Sequence, residues 1–153
     1  DRPGRAAPRP ADGGVMRTVL VGLALLALTS CAPAQTRAVQ VGEKVYTVEV
    51  ATTEDDQRQG LAGRPEVEPG TGMLFLLPSR STQQVWGAGM LVAVDVVWIT
   101  GGQVAAVDVL EPCTARDQST CPRLTAPSPV DAVLEVPAGS GIVAGETVTV
   151  EDQ

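Results

Sequence analysis

Between Val39 and Val150 the apolar residues come in short runs that glycine or proline repeatedly cuts off, and this punctuation leaves no room for long helices. Within the runs the period is two. Tyr46, Val48 and Val50 fall on one face of an extended segment, and Val45, Thr47 and Glu49 on the other. Gly42-Glu43 predicts a hairpin back to Val39-Gln40-Val41, and Gly101-Gly102 predicts a second one joining Val92–Thr100 to Gln103–Leu110. Met73–Leu77 is wholly apolar and stopped by Pro78, the pattern of a strand buried on both faces. Gln84-Val85-Trp86, Ala132–Val136 and Thr147–Val150 read as further strands. One segment breaks the pattern. Thr52–Arg58 reads as a short helix with Thr53 as N-cap and Asp56 three residues on, and Gly60, Gly63 and Pro65 end it. With no βαβ alternation and no repeat, residues 39–153 are expected to form a single compact, mainly β domain, a sandwich or small barrel carrying one short helix.

The N-terminal segment has a different grammar. Residues 1–15 are rich in Pro, Gly and Arg and precede the first methionine, Met16; they read as an upstream, non-native segment, or alternatively as an extended basic n-region. Residues 16–30 carry a basic start at Arg17, an apolar run from Val19 to Leu28 and then small residues, which is the layout of a secretory signal and too short for a comfortable membrane span. Leu28-Thr29-Ser30-Cys31 resembles the bacterial lipobox. By that resemblance Cys31 becomes the lipid-bearing first residue, residues 31–38 form a tether, and the domain lies on the extracytoplasmic side, held to the membrane by its lipid. The alternative is an ordinary signal peptide that happens to contain a cysteine.

Composition narrows the chemistry. Lys and Arg total 11 against 18 Asp and Glu, a net charge of −7, which is the wrong sign for nucleic acid. There is no histidine, so Ser-His-Asp and Cys-His nucleophiles and His-ligated zinc are excluded, and Lys44 is the only lysine. No cofactor or metal is implied. Apart from Cys31, the cysteines are Cys113 and Cys121, in the polar stretch Glu111–Leu124. In an exported chain they read as a structural disulfide; a redox pair is the alternative, although the spacing is not C-x-x-C.

Gly60-Leu61 with Arg64, Gly72-Met73-Leu74-Phe75, Trp86 with Val94-Asp95-Val96, and Leu134-Glu135 with Gly139 together resemble the domain of unknown function 192 family. That family shows Gly-Leu-Met-x-Arg, Gly-Met-Leu-Phe, Trp-Met-Lys-Asn-Thr followed by Leu-Asp-Ile, and Leu-Glu-x-x-x-Gly, in this order. The resemblance runs from about Val45 to Val150 and implies a small exported β-rich domain of jelly-roll-like topology, with no reaction attached. Ala62 stands at a family methionine, and Gly87-Ala88-Gly89-Met90 replaces Met-Lys-Asn-Thr.

Asp95 is a lone acid inside the apolar run Val92–Ile99, on the face of Ala93 and Val97, and must be bonded or paired there. Arg64, at the family arginine, is the expected partner. Arg64, Trp86 and Asp95 are therefore the candidate ligand-binding residues, with Trp86, set among Gln83, Gln84, Gly87 and Gly89, as a stacking wall. The simpler reading is a structural Arg64–Asp95 ion pair and a core tryptophan. Trp98 shares its parity with Val92, Val94 and Val96 and reads as core. Asp95, Asp108 and Glu111 are the acids available to a glycosidase-like pair, Asp108 reading by default as a solvated surface residue. Three functions are consistent with the chain: an envelope-anchored binding or accessory module for a small ligand or an envelope protein, a carboxylate-dependent hydrolase of envelope glycan, and a purely structural or assembly role.

Overall fold

The computed structural model describes Gly4 and residues 35–151, so the segment 16–30 and Cys31 lie outside the described residues, as does 1–15 apart from Gly4. The described chain runs β1 (Thr36–Val41), β2 (Lys44–Val50), α1 (Glu54–Gln59), β3 (Thr71–Ser81), β4 (Gln84–Trp86), β5 (Val94–Thr100), β6 (Gln103–Leu110), a 3-10 turn (Gln118–Thr120), β7 (Arg123–Thr125), β8 (Val130–Pro137) and β9 (Val148–Val150). β1 begins at Thr36, inside the stretch read as tether.

The local signals act as the sequence predicts. Val41 faces Lys44 and Thr100 faces Gln103 across two-residue turns, and Gly42, Gly101 and Gly102 take the positive φ that such turns require. At the start of α1 the Thr53 hydroxyl accepts from the Asp56 amide at 3.0 Å, and the Asp56 carboxylate accepts from the Thr53 amide at 3.0 Å. This closed capping box, with three acids in the first turn, supports a helix of only six residues that buries no side chain.

Seven strands form one sheet in the order β6-β5-β8-β3-β2-β1-β9, and β4 and β7 form a separate two-stranded ribbon. β2 and β3 run parallel, joined through α1; the other paired strands are antiparallel. The sheet curls into a half-barrel whose edges meet at one end. There Val104 N–H donates to the Glu146 carbonyl at 2.9 Å, Gly145 N–H to Val104 at 2.8 Å and Val148 N–H to Gly102 at 2.8 Å. The mainly β class with one short helix is therefore as expected.

Curling gives the sheet two buried faces. Val39, Val41, Val48, Leu74, Val97, Leu134 and Val136 fill the concave side. Met73, Val94, Val96, Trp98, Leu110, Val130 and Val133 lie on the convex side with Leu61, Met90 and Ala126 from the covering segments. Val94 to Ile99 of β5 are accordingly all buried. β3 departs from expectation. It continues through Pro78 to Ser81, and Leu76 is 38% exposed, so it is not buried on both faces. Proline is tolerated because the register with β8 shifts between Leu76 and Ser81, where no ladder bond needs its missing N–H. Gly72 allows β3 to lie tightly on β8: a Cβ there would collide with the Glu135 carbonyl oxygen.

Cys113 and Cys121 form the expected disulfide, with Cα atoms 5.8 Å apart. The stapled loop is tied to the chain after β4, since Cys113 N–H donates to the Gly87 carbonyl at 2.8 Å and Gly89 N–H to the Cys113 carbonyl at 3.2 Å. Gly87 permits this approach, as a Cβ would strike the Glu111 carbonyl. The staple thus holds the ribbon that carries Trp86.

Candidate functional site

A cavity of about 580 Å³ opens between α1 with its following turn, the ribbon, and the convex face of β3 and β8. Phe75, Leu77, Val133 and Glu135 supply sheet positions; Gln57, Gly60 and Leu61 line it from the helix side; Gln84, Trp86 and Arg123 line it from the ribbon. Strand parity explains the floor. Along β8, Ala132, Leu134 and Val136 enter the concave core, so Val133 and Glu135 must point the other way.

Glu135 is only 5% exposed. No described residue donates a hydrogen bond to its carboxylate, and burial alone pushes that carboxyl up to about 7. A side chain at Gly60 would start 3.6 Å from Phe75 Cζ and 4.0 Å from Glu135 Oε2, so the glycine keeps the acid's side of the cavity open. At the rim the Arg123 guanidinium lies 4.2 Å from the centroid of the half-buried Trp86 ring, a cation–π contact that covers one ring face.

The sequence candidates separate. Trp86 is in the cavity. Arg64 is not paired with Asp95: its Nη1 and Nη2 donate to the two Glu49 carboxylate oxygens at 2.6 and 2.7 Å. Those bonds hold Glu49 below, and Arg64 above, their ordinary pKa values. Asp95 is buried on the other face of the sheet, with Val97, and accepts from Ser140 N–H at 2.8 Å and from the Ser140 hydroxyl at 2.7 Å. Burial first, then the Asp95 and Glu146 charges, pushes the neighbouring Tyr46 hydroxyl up. The expected Arg64–Asp95 unit fails for a topological reason. Arg64 follows α1 on the crossover and meets the side of β2 that carries Glu49, whereas alternation turns Asp95 into the barrel.

Trp98 is core, as expected, but Asp108 is not a plain solvated residue, because it accepts the Trp98 indole N–H at 2.7 Å. Among the described residues no group of three or more His, Cys, Asp or Glu is placed to hold a metal ion.

Glu135 carries the family resemblance with Leu134 but is not among the sequence candidates for the site. It is a lone acid in Ala132–Val136, the same signal that singled out Asp95 in β5. Arg123 gives no such signal, since its role depends on the pairing of β4 with the three-residue β7.

The model of the domain of unknown function 192 family, described as an uncharacterized ACR, matches residues 36–150. The chain belongs to this family. No curated protein matches the chain. A candidate transcription regulator from Sinorhizobium meliloti 1021 has a crystal structure similar to it at a TM-score of 0.68 and 21% identity, covering 78% of this chain and 96% of that one. A protein of unknown function from Novosphingobium aromaticivorans DSM 12444 is similar at a TM-score of 0.65 and 25% identity, covering 78% and 88%. Segments that carry the family resemblance meet at the cavity: Gly60-Leu61, Phe75, Trp86 and Glu135 all line it. So do Ala62 and Ala88, which stand where the resemblance implies methionine and lysine.

A carboxyl raised from its ordinary 4.5 to about 7 gives a signed prediction. Between those values the folded chain holds a proton that the unfolded chain has lost, so stability falls as pH rises through this window and levels off above it. Glu135→Gln removes the effect. In urea unfolding, the stability of Glu135→Gln relative to wild type should improve by about 3 kcal/mol from pH 4 to pH 8. A difference independent of pH contradicts the burial of this acid.

Proposed function

We propose that this chain is an exported, lipid-anchored binding module: Cys31 carries the lipid, and the cavity over Glu135 and Trp86 receives a small ligand or a side chain of an envelope protein. One observation carries the binding reading. An unpartnered, deeply buried carboxyl facing an open cavity is costly to keep in a fold that could have used leucine, and such groups concentrate at functional sites. Export is supported by the Cys113–Cys121 disulfide, which persists in oxidising compartments outside the cytoplasm. Among the described residues no helix is long and apolar enough to cross a membrane.

A two-carboxylate hydrolase has less support. The other acid on the cavity wall, Glu54, is exposed and lies 3.7 Å from Arg58, leaving Glu135 without a matching buried partner. Nucleic-acid binding, suggested by the description of the Sinorhizobium neighbour, is opposed here by a net charge of −7.

The two halves of the proposal are tested separately. Expressed in a bacterium, the wild type should fractionate with membranes and incorporate labelled fatty acid, while Cys31→Ala should not; a labelled mutant contradicts the anchor. For the cavity, a thermal-shift screen of sugars, amines and carboxylates should find at least one class that raises the melting temperature of the wild type but not of Ala88→Leu, which narrows the cavity. A screen silent in all three classes contradicts binding.

A further inference from the structure

We propose that the cavity takes a small organic cation, a primary ammonium on an apolar arm, with Glu135 as its counter-ion; this rests on reading the cavity as a binding site. The acid's surroundings define the ligand by what they lack. A carboxylate is purely an acceptor, no described group donates to it, and it borders the cavity. An ammonium brings three donors and the opposite charge, and charge-assisted bonds of this kind are the strong ones. An anion would instead meet a like charge, and a neutral alcohol would donate one hydrogen bond but leave the buried charge unbalanced.

The cavity's other charges do not meet this need. Arg58 is engaged by Asp55 at 3.0 Å and Glu54 at 3.7 Å, and Arg123 is laid over Trp86 at 4.2 Å. Arg58, Glu54 and Arg123 are all exposed, so solvent screens them from the floor. Phe75, Leu77 and Val133 offer the arm apolar surface beside the acid. The chain's net charge of −7 favours the approach of cations.

Protons balance simply. Below neutrality the ammonium displaces the proton of Glu135 to solvent, and affinity falls by about tenfold per pH unit; above it no proton moves.

The test is calorimetry on the purified full chain with n-pentylamine, n-pentanol and pentanoate at pH 8 and pH 6, with the indole NMR signals of Trp86 and Trp98 as a control of fold. The amine should bind at least tenfold more tightly than the alcohol at pH 8, with pentanoate weakest. Its affinity should drop by about tenfold at pH 6, with a proton released to the buffer. Glu135→Gln, with its indole signals retained, should lose the preference for the amine. If the alcohol binds as well as the amine, or Glu135→Gln keeps the preference, the cation assignment is wrong and the cavity remains a binding site. If none of the three compounds gives heat or moves the Trp86 signal, the cation assignment and the binding reading both fail.

Discussion

The alternation of β8 governs this molecule. Each residue of Val130–Pro137 must face either the closed concave core or the convex side, and β8 sits between β5 and β3, where neither face is left to solvent. Ala132, Leu134 and Val136 settle the concave side with β1, β2 and β9. Val133 and Glu135 are then obliged to face the convex side, which a chain of this size covers only with a short ribbon, a six-residue helix and a loop held by one disulfide. The cover does not close over the acid, and the gap is the cavity.

Much of this was legible from residues alone, and what failed shares one cause. Two-residue turns at Gly42-Glu43 and Gly101-Gly102, the Thr53 cap and the Cys113–Cys121 pair are short-range features whose chemistry lies within a few residues. Alternation also placed Trp98 and Asp95 on opposite faces correctly. It could not say which distant element arrives opposite a given face. Arg64 met Glu49 because the crossover passes over β2, and Asp95 met Ser140 because the turn after β8 folds back over β5. β7 is invisible in sequence, since three residues carry no period and its identity as a strand comes from β4.

Glu135 is a different kind of miss. The lone-acid argument applied to β5 applies equally to β8, and the two acids resolve in opposite ways. Asp95 is given two donors by Ser140 and becomes a structural tie between strand and turn. Glu135 receives none, and its carboxyl is raised by desolvation alone. Burial with bonds builds the fold; burial without them, beside open space, is the observation on which the binding proposal rests. The family match over residues 36–150 fits this division, since the segments that carry it border the cavity as well as the core.

The claim at the centre is that the Glu135 carboxyl is buried and unpartnered in the folded chain. Carboxyl-detected NMR of the folded chain labelled with carbon-13 at glutamate measures this directly, with Glu135→Gln assigning the resonance. A titration midpoint near 7, well above the ordinary 4.5, is expected. A midpoint at or below that ordinary value would mean that Glu135 is solvated or hydrogen-bonded, and would contradict its unpartnered burial.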